Sequence, residues 1–200
     1  LSLAGNHSLD FGIEALADTI GNLASAGIAS CGHTDSSGQP HLTILERPGR
    51  KVASLGFCDD HYPLPTAQAG PRPMLFREDL VKELVGRAAK SADLILVNLH
   101  WGYEFSPHPL LRHRDLARKV VDWGANCVLC HHAHVPMGVE FWNHGFIAHG
   151  LGNCVMPHSK YQTQGHPWTR RSFALELGFL GSELDEAKSH PLSIEKDGRV

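Results

Sequence analysis

Apolar positions recur along this chain in two rhythms, one helical and one extended. Ile13, Leu16, Ala17, Ile20, Leu23 and Ala24 keep the i, i+3, i+4, i+7 spacing that places side chains on one helix face, which predicts an amphipathic helix over residues 12–26. Ser8 or Asp10 is positioned to cap its start and Gly27 its end. A second helix is predicted from Arg77 to Ala89, with Leu80, Val81, Leu84, Val85 and Ala88 as its buried side, and a third from Leu111 to Trp123, closed by Gly124. Lys51 to Cys58 predicts a strand with Ile44 and Leu45 in its hairpin partner. Asp93 to Leu99 is a nearly continuous apolar run, the mark of a strand covered on both faces, and Asn126 to Cys130 is a shorter one. Gly138 to Trp142 and Phe146 to His149 flank a turn at Asn143-His144-Gly145, and Phe173 to Phe179 suits a late antiparallel strand. Asp59 to Pro73, rich in proline and turn formers, reads as a loop, and the tail from Gly181 is polar.

A strand, a helix and a strand in succession form a right-handed crossover in nearly all cases, which lays the two strands parallel with their carboxyl ends on one edge. The runs ending at Leu99 and Cys130 are therefore expected to deliver the residues just beyond them to the same edge. The pattern describes an α/β domain over residues 1–180 with a polar segment at 181–200, without internal repeats.

Histidines stand at those ends. Gly5-Asn6-His7, His100-Trp101-Gly102 and His131-His132-Ala133-His134 each come just after an apolar stretch. Open α/β sheets bind ligands at the carboxyl ends of their strands, so an Asn and several imidazoles at such ends fit a metal site. Divalent ions held there polarise a phosphoryl or carbonyl oxygen and turn bound water into hydroxide near neutral pH. In His100-Trp101-Gly102-Tyr103-Glu104 the glycine lets the backbone turn sharply, and Tyr103 and Glu104 are candidates to face a substrate. Asp10 and Glu14 read as helix-dipole partners. Cys127-Val-Leu-Cys130-His131 formally matches a haem-attachment pattern, but residues i and i+3 of a strand point to opposite faces, so the match is coincidental.

Composition narrows the function classes. Lys and Arg total 18 against 21 acidic residues, so the chain lacks the basic excess that binds nucleic acid. No apolar run approaches the roughly 20 residues that span a bilayer, and Leu1 to Phe11 lacks the basic start and apolar stretch of a signal peptide. Five cysteines, an odd number scattered through expected strands and loops, do not make a disulfide framework. Of the fifteen histidines, those in polar loops, including His33, His41, His61, His144, His166 and His190, are set aside.

Gly5-Asn-His-Ser-Leu-Asp-Phe-Gly12, His100-Trp-Gly-Tyr-Glu104, Gly124-Ala125, His131-His-Ala-His-Val135 and Leu151-Gly-Asn153 resemble, in order and spacing, the signatures of the CapA-type poly-γ-glutamate capsule biosynthesis proteins. The resemblance covers about Leu1 to Met156. That family is similar in fold to the calcineurin-like metallophosphoesterases, which implies a two-sheet sandwich flanked by helices. It also implies Asn6, His100, His132 and His134 as ligands to divalent metal ions, a pair of Mn, Fe or Zn, and His7 as the neighbouring histidine that assists the leaving group. His131, Tyr103, Glu104 and Asn153 are the weaker, substrate-binding candidates. Where the family usually has Gly-His-His-Pro-His, this chain has Cys130-His-His-Ala-His134, which keeps every histidine and loses the turn residues. The family's first strands, with their Gly-Asp and Asn-Leu-Glu signatures and the Asp ligands they carry, are expected upstream of Leu1, where members often also carry a membrane anchor.

The resemblance implies a metal-dependent hydrolase or transferase acting on a phosphoester or a γ-glutamyl amide, with an anionic polymer or small phosphorylated substrate and with capsule synthase subunits as partners. The rival expectation is a non-catalytic subunit that binds polymer or synthase and keeps the fold with a vestigial metal site.

Overall fold

A computed structural model describes residues 1–59, 69–156, 165–195 and 197–200. The loop expected at Asp59 to Pro73 therefore falls largely outside the described residues. The protein is mixed α/β, its sheet strands flanked by helices, and divides into two compact units: Leu1–His100 with Trp123–Ala125, and Trp101–Asp122 with Asn126–Val200.

In the first unit, helix α1 (Gly12–Ser25) buries Ile13 and Leu16 and half-buries Ile20 and Leu23, while Ala17 and Ala24 of the expected stripe stay exposed. Its start differs from expectation. Phe11 occupies the N-cap without a side-chain capping bond, because Ser8 donates its hydroxyl to the Leu3 carbonyl and Asp10 accepts from His7. Successive turns at Ser8 N to Gly5 O, Asp10 N to His7 O and Gly12 N to Leu9 O engage this stretch before the helix begins. Gly27 (φ 71°) comes after the last turn as expected.

Strands β1 (Thr43–Arg47) and β2 (Arg50–Cys58) pair antiparallel, and β2 pairs parallel with β3 (Leu94–His100) from Val52↔Leu94 to Cys58↔His100. Helix α2 (Glu78–Ala88) lies between β2 and β3 in the chain and buries Val81, Leu84, Val85 and Ala88. Those side chains, with Leu55, Phe57, Val97 and Leu99, are fully buried. Each of the Val, Leu and Phe side chains among them contributes about 1.5–3 kcal/mol on leaving water. The alternate face of β3, with Leu96, Asn98 and His100, is half-buried. Strand alternation thus turns His100 away from the packed face at the carboxyl end of the strand. The Asp59 N–H donates to its carbonyl at 3.1 Å.

In the second unit, helix α3 (Leu111–Asp122) packs on β4 (Cys127–His131) and β6 (Gly145–Ala148) through Leu116, Ala117, Val120 and Val121, with His113 also buried. β4 and β6 run parallel, and β6 pairs antiparallel with β5 (Val139–Trp142). Trp142 and Gly145 are partners, so the hairpin turns on Asn143 and His144, with Asn143 at φ 48°, and Gly145 already belongs to the strand. Strands β7 (Arg171–Leu180) and β8 (Glu183–Ser193) make a separate two-stranded antiparallel sheet. β8 occupies most of the segment that reads in the sequence as a featureless polar tail. It is exposed along nearly its whole length, so no apolar alternation marks it.

Candidate functional site

The candidate donors lie on loops held at the ends of these strands. In the first unit, Leu1 to Leu3 run beside Cys31 (Leu3 N to Cys31 O 2.8 Å, Cys31 N to Leu1 O 2.9 Å) and release the chain into the turns that carry Asn6 and His7. A Cβ on Gly5 would stand 3.7 Å from His100 Cε1, so this turn passes directly over the His100 ring. Asn6 Oδ1 lies 2.8 Å from His100 Nε2. Because an amide oxygen only accepts, Nε2 carries the hydrogen of this bond; once that hydrogen is lost, the two atoms are close enough to be neighbouring ligands of an ion held at roughly 2.0–2.2 Å. His7 projects into solvent, and its Nδ1 lies 2.8 Å from Asp10 Oδ2. Asp10, expected to cap helix α1 or to serve its dipole, thus orients His7.

In the second unit, the loop after His100 packs beside the histidine loop: Trp101 N donates to His131 O at 3.4 Å and Phe105 N to Ala133 O at 2.8 Å. Trp101 is buried and stacks on His113 with ring centroids 4.7 Å apart. His131 ends β4 half-buried, and burial pushes its imidazole below the ordinary histidine value. His132 (φ 92°) and His134 (φ 61°) both adopt left-handed backbone, a costly conformation for side-chain-bearing residues that concentrates at binding and catalytic loops. Their rings stand 6.2 Å apart. His134 Nδ1 lies 2.7 Å from Asn153 Oδ1, and His134 Nε2 lies 3.8 Å from Glu104 Oε1. Tyr103 and Glu104 are exposed, whereas Asn153 is buried and its Nδ2 donates to the Thr169 carbonyl at 3.0 Å.

The structure thus joins Asn6 to His100, His7 to Asp10, and His134 to both Asn153 and Glu104. Among the described residues, no group of three or more His, Cys, Asp or Glu side chains is close enough to hold a metal ion. The donors nevertheless fit divalent transition metals in kind, as imidazole nitrogens beside amide and carboxylate oxygens. Cys127 and Cys130, by contrast, are buried in β4 with thiols pushed up to about 12 by burial, which suits packing rather than haem or metal chemistry.

Three participants are invisible to sequence reasoning. Phe105, at φ 63°, stacks with both His134 (5.9 Å) and His166 (4.0 Å), and Thr169 anchors Asn153 through a backbone carbonyl. His166 reads in the sequence as one loop histidine among several, and no local pattern distinguishes it.

Residues 1–158 match the family model described as bacterial capsule synthesis protein PGA_cap. The chain belongs to this family. Among PGA_cap relatives, the PGA biosynthesis protein CapA of Bacillus subtilis (strain 168) is 31% identical over 208 aligned positions, covering 98% of this chain and 53% of that protein. The capsule biosynthesis protein CapA of Bacillus anthracis is 31% identical, covering 85% of this chain and 41% of that protein. The chain therefore spans about half the length of the PGA_cap relatives it matches. Among solved structures, the sulfate thiohydrolase SoxB of Thermus thermophilus aligns with a TM-score of 0.61 at 14% identity, covering 93% of this chain and 31% of that one. That likeness shows the metallophosphoesterase-like fold alone. No helix among the described residues is long and apolar enough to cross a membrane.

Proposed function

We propose that this chain acts in the synthesis or processing of a poly-γ-glutamate capsule polymer as a metal-dependent hydrolase or transferase on a phosphoester or γ-glutamyl amide. The observation that carries the reading is the Asn6–His100 contact, which pairs an amide oxygen and an imidazole nitrogen at 2.8 Å on the carboxyl end of a parallel strand. Asn6 and His100 in the first unit, and His132 and His134 in the second, are each proposed as ligands to divalent Mn, Fe or Zn. An ion held by such ligands would supply Lewis acidity toward a phosphoryl or carbonyl oxygen.

The chain's own residues supply the rest. Asp10 accepts from His7 Nδ1, which leaves His7 Nε2 to hold or release a proton toward a leaving group. Glu104 and Tyr103, both exposed, are the proposed contacts to substrate, together with the half-buried His131. Capsule synthase subunits are the proposed protein partners, and an anionic polymer or a small phosphorylated compound the proposed substrate.

Metal content of the full-length protein by mass spectrometry, with turnover of a generic phosphodiester and of poly-γ-glutamate, tests this. The full-length wild type is expected to carry metal at stoichiometric levels, Asn6→Ala and His132→Ala to lose most of it, and His7→Asn to keep its metal while losing turnover. Sub-stoichiometric metal together with no turnover of either substrate would overturn the enzyme reading in favour of a polymer- or synthase-binding subunit.

A further inference from the structure

The Leu151-Gly152-Asn153 loop is clamped on both sides. Leu151 N donates to Cys130 O at 3.3 Å, and Leu151 O accepts from Phe173 N at 3.3 Å and from the Ser172 hydroxyl at 3.1 Å. Gly152 lies so close to the start of β7 that a Cβ would stand 2.8 Å from Arg171 O. Asn153, 7% exposed, leaves this clamp with both ends of its amide engaged. A carbonyl only accepts, so the bond to Thr169 O must use Nδ2 and the amide orientation is fixed. Thr169, fully buried, is held in turn by His166 O, which accepts its hydroxyl at 2.8 Å and its N–H at 3.1 Å. Oδ1 then faces His134 Nδ1 at 2.7 Å, and because an amide oxygen also only accepts, Nδ1 must carry the hydrogen. In neutral imidazole the lone pair is then on Nε2.

We propose that Asn153 is a positioning residue: it holds His134 in the Nδ1–H tautomer with a fixed ring orientation, so that Nε2 is presented as a donor. The substrate contact expected of Asn153 from the sequence is replaced by this role, since its polar atoms are buried and already bonded. The inference rests on the reading of His134 as a metal ligand, and it gives the Leu-Gly-Asn signature a physical purpose. Glycine permits the close approach to β7, and asparagine sets the imidazole. A partner on the second ring nitrogen that fixes the tautomer is what an imidazole ligand requires.

Long-range proton–nitrogen NMR on the metal-free, nitrogen-labelled chain at alkaline pH reads the tautomer directly, and titration with Zn²⁺ reads its consequence. In the wild type, His134 is expected to carry its hydrogen on Nδ1. Asn153→Ala is expected to move it wholly or partly to Nε2, whereas Asn153→Asp, whose carboxylate also only accepts, is expected to keep it on Nδ1 while losing the bond to Thr169 O, which then faces a second acceptor. Zn²⁺ affinity should fall about 10- to 100-fold in Asn153→Ala, with Asn153→Asp closer to wild type. A wild-type His134 protonated on Nε2, an unchanged tautomer in Asn153→Ala, or unchanged Zn²⁺ affinity in that variant would each overturn the proposal. Should Asn153→Ala fail to fold, the wild-type and Asn153→Asp spectra still decide it. If no variant, nor the wild type, binds Zn²⁺ while the tautomers behave as expected, the positioning stands and the metal reading falls.

Discussion

Replacing Gly152 with alanine separates two costs that glycine avoids. Gly152 sits at φ 77°, where an added Cβ would stand 2.8 Å from Arg171 O and 3.1 Å from Ser172 Cα. Left-handed backbone costs a residue with a Cβ about 1–2 kcal/mol. The contact atoms are backbone, so relief requires the loop to move off β7, which gives up the Phe173 N to Leu151 O and Ser172 hydroxyl to Leu151 O bonds at about 1 kcal/mol each. The expected loss for Gly152→Ala is therefore roughly 3–4 kcal/mol. Gly27 isolates the first cost, since it has φ 71° and nothing within 4 Å of an added Cβ. Gly27→Ala should lose only about 1–2 kcal/mol. Gly21, within α1 and equally open, should gain about 0.5–1 kcal/mol on becoming alanine. Urea unfolding monitored by far-ultraviolet circular dichroism, on all three variants and the wild type, measures the series. A Gly152→Ala loss equal to that of Gly27→Ala would refute the steric argument, and with it the claim that the signature's glycine exists to bring the Asn153 loop against β7.

Two further outcomes concern titratable groups elsewhere in the protein. Glu140 accepts from Arg118, whose guanidinium lies 4.3 Å over the Trp142 ring, and pairs with His149 at 3.1 Å. Burial pushes the Glu140 carboxyl up, but bonds and charge from Arg118 and His149 outweigh it and leave it below the ordinary carboxylate range. Its stabilisation is thus present above the unfolded value of roughly 4.3 and is lost as pH falls through the folded value, so Glu140→Gln should flatten the acid limb of stability against pH. An acid limb as steep in that variant as in wild type would show that Glu140 is not the linked group. For the cysteines, Cys31, Cys58, Cys127 and Cys130 are buried and only Cys154 is exposed. Burial holds Cys58 up to about 11 and Cys127 and Cys130 up to about 12, so a thiol reagent near neutral pH should modify one equivalent quickly and all five after unfolding. Rapid modification of two or more in the folded chain would contradict that burial.

The elements are legible wherever one face meets a core. The apolar faces of α2, α3, β2 and β3 keep the period of their secondary structure because the buried side must be continuous. Helix α1 is legible for the same reason, but its cap is not: Ser8 and Asp10 are capping residue types, and nothing local reveals that Leu3 O and His7 engage them first. Strand β8 escapes sequence reading because a strand solvated along its length has no reason to alternate. The division into two compact units also leaves no trace, since no composition shift or linker accompanies the boundary at His100 and Trp101.

The candidate site divides along the same physical line. Its donors can be found because imidazoles directly after apolar runs are unusual, and strand ends are where a sheet presents them. Their supports cannot, because an orienting group needs only an oxygen at the right place, and any residue can supply one. Asn153 meets His134 across 19 positions, and Thr169 reaches Asn153 across 16 using nothing but its carbonyl. Of these supports only Asn153 carries side-chain information, and asparagine is common in loops. The tautomer of His134 is consequently written in the fold rather than in the histidine loop. A chain with the same histidines on a differently closed β7 would retain the donors and lose control over which nitrogen faces outward.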